Sequence, residues 1–168
     1  MSRLICITVN VLLGCCCTLL MLLAVPQLVG LECYAVVSGS MEPALPVGSA
    51  VYVKRIPFSD ISKGDVITYV IGESGMRVTH RVVETDEKKQ QFVTKGDANE
   101  CVDGKTVSFQ NVCGVVKFYL PLLGYLQKFL ANDKGKRAAV STLLGLFLMS
   151  ELLEKDKIRK KVFADNEG

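Results

Sequence analysis

The chain has 168 residues, with 20 Lys and Arg against 17 Asp and Glu, for a formal net charge of +3. So small and scattered an excess excludes nucleic acid as the expected partner, and the length allows one ordinary domain at most. There is no Trp and a single His, His80, so any chemistry that needs an imidazole must use that one.

From Leu4 to Leu31 there is no charged residue. The run exceeds the ~20 residues that cross a bilayer core. It is also too long for the ~7–15-residue apolar region of a cleaved signal peptide. Residues 1–31 are therefore expected to form an N-terminal transmembrane anchor. Leu12-Leu13-Gly14-Cys15 has the look of a lipoprotein processing site, but the apolar run continues well past Cys15, which favours an anchor without lipidation. Cys6, Cys15, Cys16 and Cys17 lie inside the run, where cysteine behaves as a small hydrophobe, and Cys33 lies just past it.

Residues Val37 to Val47 read Val-Ser-Gly-Ser-Met-Glu-Pro-Ala-Leu-Pro-Val. Gly39 allows a sharp bend and the two prolines fix the chain beyond it. Taken alone this is a turn entering a strand; it is also the kind of rigid bend that holds a nucleophilic serine outward. Strands are expected at Ala50–Lys54, at Val66–Ile71 after a Lys63-Gly64-Asp65 turn, and at Met76–Glu84. A charged hairpin turn at Thr85–Gln90 leads to a return strand, Gln91–Lys95. Two short strands follow near Thr106–Phe109 and Val112–Phe118. Period-two alternation puts Val78, His80 and Val82 on one face. Short strands separated by turns predict a mainly β fold, a small antiparallel sheet domain over residues 32–131. The Lys-Gly-Asp triplets at 63–65 and 95–97 have unlike flanks and read as two independent turns.

Pro121–Leu126 opens a short apolar piece, helical or interfacial, and Asn132–Arg137 is a polar break. Ala138–Leu153 is apolar apart from Ser, Thr, Gly and Glu151. A second transmembrane helix is expected within residues 132–154; the alternative is an amphipathic helix lying on the membrane. Residues 155–168 form a basic tail with Lys155, Lys157, Arg159, Lys160 and Lys161. Together with Arg3, this tail places both termini in the cytoplasm and the β domain outside. Lys134, Lys136 and Arg137 weaken that orientation without reversing it. The expected location is the cell membrane, or the endoplasmic reticulum membrane in a eukaryote, with a multi-pass chain and an extracytoplasmic β domain.

A serine nucleophile needs a base within hydrogen-bond reach and an orienting group behind it. His80 is the only imidazole; from the residue alone it is more simply a core or rim histidine bonded to a carbonyl. The polar loop Gly96–Gly104 supplies two acids, Asp97 and Asp103, whose simpler role beside Gly96 and Gly104 is turn formation. A calcium loop beginning at Asp97 fails, because Val102 stands at its sixth position and Ser108 at its twelfth. One His and no Cys-x-x-Cys pair leave no zinc set. No metal and no cofactor are expected. Cys101 and Cys113 are either free thiols or, in an extracytoplasmic domain, a disulfide.

Four boxes occur in one order. They are Ser38-Gly39-Ser40-Met41-Glu42-Pro43, Lys63-Gly64-Asp65-Val66-Ile67-Thr68-Tyr69, Thr79-His80-Arg81-Val82-Val83, and Thr94-Lys95-Gly96-Asp97-Ala98-Asn99 followed by Asp103. The series closely resembles type I signal peptidases of the branch found in the endoplasmic reticulum, in archaea and in some Gram-positive bacteria, over roughly residues 4 to 150. The resemblance implies that Ser40 is the nucleophile, His80 the base and Asp103 the acid, with Asp97 supporting and Ser38 assisting an oxyanion. The main bacterial branch carries lysine at the base position, so His80 decides the branch. Cys101, between Asp97 and Asp103, departs from the pattern. The implied partners are secreted preproteins with signal peptides and membrane lipid, with the secretion translocon as a candidate. The implied substrate lies extended along a strand edge, with small residues at the −1 and −3 positions. About nine residues separate Leu31 from Ser40, at most ~30 Å of extended chain, which keeps Ser40 near the bilayer surface. Two other readings remain: a non-catalytic membrane-anchored β module for binding or assembling surface proteins, and a serine–lysine peptidase with Lys95 as base.

Overall fold

The computed structural model describes residues 2–72 and 75–166. In chain order its elements are α1 (Ser2–Leu28), β1 (Glu32–Ala35), β2 (Ala50–Lys54), β3 (Val66–Ile71), β4 (Met76–Asp86), β5 (Gln91–Lys95), β6 (Val107–Ser108), β7 (Val112–Leu120), α2 (Leu123–Ala131) and α3 (Asp133–Asn166). They divide into two compact units, Val25–Lys128 and the remaining N- and C-terminal residues.

The first unit is one seven-stranded sheet in the order β1-β2-β7-β3-β4-β5-β6, with every pair antiparallel. β2 is covered on both faces, since Ala50, Val51, Tyr52 and Val53 are all buried, as its unbroken apolar run requires. The main core joins Ile61, Ile67, Tyr69, Val82, Phe92, Val107, Val112 and Val115. A second cluster of Met41, Leu45 and Val51 seats the serine-bearing bend on the sheet. Met41 is 1% exposed, and burying such a side chain contributes about 1.5–3 kcal/mol. The residue next to Ser40 is thus a packing anchor for the bend. α2 closes the unit through close backbone contact: Gly124 N–H donates to Gly48 O at 2.9 Å, and a Cβ on Gly124 would lie 2.3 Å from Ser49 O.

In the second unit α1 and α3 meet. Ser150 Oγ donates to Asn10 Oδ1 at 2.7 Å, and Val9 and Leu23 are buried. Among the described helices, α1 alone is long and apolar enough to cross a membrane, with a mean hydropathy of 2.4 over Leu4–Leu28.

Several expectations need correction. The sheet is present, but helices of 27, 9 and 34 residues accompany it, so the chain as a whole is α+β rather than mainly β. β1 was not anticipated: Glu-Cys-Tyr-Ala is too short to show alternation, and its pairing with β2 makes it a strand. The polar break shrinks to Asn132. Its side chain accepts from Lys134 N at 2.7 Å and Gly135 N at 3.1 Å, a cap that starts α3 immediately. α3 then continues through the described part of the basic tail, to Asn166. Of the two states left open for Cys101 and Cys113, the structure has the free thiols. Cys113 is half-buried on β7 near Arg77, whereas Cys101 is exposed in the loop after β5.

Candidate active site

The site arises from where strand pairing stops. β4 pairs with β3 from Met76 to Arg81, but with β5 only from Arg81 onward, where Arg81 faces Lys95. The chain therefore leaves the sheet beside His80. The loop that follows is drawn back by Asp103 N–H donating to Thr94 O at 2.8 Å. This places the Asp103 carboxylate against the imidazole. Alternation along β4 points His80 inward with Val82, as the sequence pattern predicts, and leaves the histidine 8% exposed.

Asp103 Oδ2 lies 2.7 Å from His80 Nδ1, and His80 Nε2 lies 3.1 Å from Ser40 Oγ. An ionised carboxylate only accepts, so the ring proton belongs on Nδ1, and Nε2 is left to accept from the serine hydroxyl. The same carboxylate oxygen accepts from Thr94 Oγ1 at 2.6 Å and Tyr69 OH at 3.1 Å. Burial by itself would raise the Asp103 pKa. The bonds from Thr94, His80 and Tyr69, with the attraction of the imidazole, outweigh it and hold the group below its ordinary value. Burial dominates at Tyr69 and, with the neighbouring Asp103 charge, pushes its phenol up to about 12. Tyr69 therefore stays a proton donor to Asp103.

Ser40 is fixed from both sides. Met41 is sunk in the core, and Ser40 O accepts from Ala98 N at 2.9 Å. The 96–99 turn sits so close that a Cβ on Gly96 would come within 2.6 Å of Ser40 O. The turn is in turn held by Asp97, which binds Arg81 through two bonds, Nε to Oδ1 at 2.8 Å and Nη2 to Oδ2 at 2.6 Å. Arg81 Nη1 also donates to Gly64 O at 2.8 Å. The two Lys-Gly-Asp turns, unrelated in sequence, thus meet on one guanidinium next to His80.

Of the residues singled out from sequence, Ser40, His80 and Asp103 come together. Asp97 does not touch the histidine but braces the Ser40 turn through Arg81. Ser38 is exposed on the wall of the cleft of about 390 Å³ that also contains Ser40, His80 and Asn99. Lys95 faces Arg81 across the strands, one residue out of phase with Thr94, so its side chain leaves on the face opposite Asp103 and His80. Sequence reasoning missed Thr94, Tyr69, Arg81 and Gly96 as site residues, although each stands inside one of the four boxes. Their roles depend on cross-strand and loop contacts that spacing does not display. No group of three or more His, Cys, Asp or Glu able to hold a metal ion occurs among the described residues.

No family model matches the chain. Among curated proteins it is similar to the signal peptidase complex catalytic subunit SEC11 of Eremothecium gossypii, 35% identical over 130 residues, covering 70% of this chain and 75% of that protein. The SEC11 subunit of Komagataella phaffii is 33% identical over 137 residues, 72% of this chain and 77% of the relative. Signal peptidase I W of Bacillus subtilis is 40% identical over 90 residues, 52% of this chain and 47% of that protein. At this identity and coverage the chain belongs to the type I signal peptidase family, in its endoplasmic reticulum and Gram-positive branch.

Proposed function

We propose that this chain is a membrane-anchored serine endopeptidase that removes signal peptides from secreted preproteins, with Ser40 as nucleophile, His80 as general base and acid, and Asp103 as the orienting carboxylate. The observation that carries the assignment is the unbroken relay from Ser40 Oγ through His80 to Asp103, at 3.1 Å and 2.7 Å. In the first step Ser40 Oγ bonds to the scissile carbonyl carbon while its proton passes to His80 Nε2. Collapse of the tetrahedral species breaks the C–N bond, and His80 returns that proton to the leaving amine. Water then attacks the acyl-serine by the same route in reverse, restoring Ser40. Asp103 holds the imidazole in the required tautomer and offsets the positive charge it acquires. The Ser40 N–H, assisted by the Ser38 hydroxyl on the same cleft wall, stabilises the oxyanion; one such donor is worth about 10²–10³ in rate.

The anchor agrees with a substrate that is itself tethered by an apolar helix. α1 has the length and composition of a membrane span. The finer topology is a proposal: residues 132–154 cross the membrane a second time, and residues 32–131 lie outside the cytoplasm. The SEC11 relatives are by name subunits of a signal peptidase complex, which supports a partnered enzyme at the membrane, close to where preproteins emerge.

The test is processing of a membrane-inserted preprotein by wild type, Ser40→Ala, His80→Ala and Asp103→Ala. Ser40→Ala and His80→Ala should each lose about 10⁴–10⁶-fold in rate, Asp103→Ala somewhat less. Undiminished processing by Ser40→Ala would overturn the peptidase assignment and favour the non-catalytic module. Loss in Lys95→Ala with retention in His80→Ala would move the base to Lys95.

A further inference from the structure

A second cavity, of about 500 Å³, opens on the far side of the histidine. It is lined by Val70, Ile71, Val78, Lys105, Thr106 and Val107, with His80 and Asp103 on its wall. Its size falls in the ~300–1,000 Å³ range of ligand clefts. The Ser40 cleft and this cavity share Val78 and His80 as a common wall. Ser40 and Ser38 line only the former; Asp103 and Lys105 line only the latter.

That division matches the two halves of a substrate. The scissile carbonyl must sit at Ser40 Oγ, and the leaving nitrogen must reach His80 Nε2 to receive its proton. With the chain before the bond in the Ser40 cleft, a path over the His80 ridge, the wall that both cavities share, is open to the chain after it. What lies beyond the ridge is this cavity. Its lining is mostly apolar, and its exposed cation, Lys105, has no ion-pair partner among the described residues.

We propose that the Lys105 cavity receives the first residues of the mature protein, immediately after the cleavage site, and favours apolar side chains accompanied by an acidic one. The inference rests on the peptidase assignment above. It adds a discrimination on the mature side of the bond: preproteins of equal signal peptide differ in processing according to their mature N-termini. Lys105 is a specificity-determining residue here; it touches neither the reacting atoms nor the relay.

The experiment uses the full-length enzyme in membranes and one preprotein whose signal peptide is kept constant. Its second and third mature residues are set to Val-Glu, Val-Lys or Gly-Gly, and kcat/KM is measured for wild type, Lys105→Glu and Ile71→Trp. Wild type should prefer Val-Glu over Val-Lys by about 2–5-fold, the size of an exposed charge pair. Lys105→Glu should reverse that order. Ile71→Trp, which narrows the cavity at its outer end, should reduce the advantage of the Val-containing substrates over Gly-Gly, chiefly through KM. Ser40-dependent cleavage with the same substrate order in all three proteins would overturn the cavity's role and leave the peptidase assignment standing. Cleavage that persists in Ser40→Ala would instead remove the assignment itself, and the cavity's role with it.

Discussion

Asp103 shows how a single carboxylate is tuned for its place behind a histidine. One oxygen receives hydrogen bonds from Thr94, Tyr69 and His80. Thr94 is fully buried, so its hydroxyl has no competing water. A carboxylate whose folded pKa lies below its unfolded value of about 3.9 contributes stability that is fully present above that range. The contribution is lost as pH falls through the lower, folded value. Thr94→Val keeps the side chain's shape and deletes one donor. It should cost about 1–3 kcal/mol at neutral pH and move the folded Asp103 pKa upward, so that the stability lost to acid is smaller in total and its loss is complete at a higher pH than in wild type. Urea midpoints between neutral pH and pH 2 would measure both effects. An unchanged acid limb in Thr94→Val would mean that the remaining donors alone set the carboxylate. Tyr69→Phe should move the limb in the same direction, by less, because its bond is the longer of the two at 3.1 Å.

The decisive element is the 96–106 loop. β5 ends opposite Arg81, and the loop must then serve two contacts at once, Ala98 on the Ser40 carbonyl and Asp103 on His80. Arg81 clamps it through Asp97 and ties the same clamp to the 63–65 turn. Gly96 is where this arrangement has no slack, since any Cβ meets Ser40 O and the Asn99 side chain. Gly96→Ala should push the Ser40 backbone away from the imidazole. Misplacement by about 1 Å can cost 10²-fold in rate, so processing should fall by about that factor while the sheet remains folded. Parallel measurement of kcat and thermal unfolding would check this; a fall in stability with unchanged turnover would refute it. Arg81→Lys tests the same clamp by removing the planar two-bond geometry. It should lower turnover less than Gly96→Ala does, because the Ala98 bond to Ser40 O survives.

For the whole molecule, the sheet unit and the helical unit have separate duties. α1 supplies an apolar helix of spanning length, and α3 packs on it with a Ser150–Asn10 hydrogen bond. Topology is testable with the residues present. Cys101 is exposed in the loop of the sheet unit, so with the proposed orientation a membrane-impermeant thiol reagent should label it in intact cells or right-side-out vesicles. Labelling that is lost in Cys101→Ser would identify the site. Labelling of Cys101 only after lysis would reverse the orientation and place the sheet unit in the cytoplasm.

The amino-acid sequence by itself determined the N-terminal apolar helix of membrane-spanning length, the existence of most strands, and which serine, histidine and aspartate the fold brings together. These are carried by local signals: an uncharged apolar run, period-two alternation, turn residues, and four short boxes whose order outweighs the weakness of each. It also contained the reason for His80, the only imidazole in the chain. Tertiary structure decided what depends on contacts between distant segments. β1 is a strand only because β2 pairs with it. The two Lys-Gly-Asp turns converge because Arg81 reaches both. Asp97 and Asp103, alike in sequence, take separate duties because only one returns to Thr94 and the imidazole. Cys101 and Cys113 stay apart because one lies in an open loop and the other beside Arg77. Hydrophobic patterning is written along the chain, whereas a hydrogen-bond partner is chosen in space, after the strands have paired.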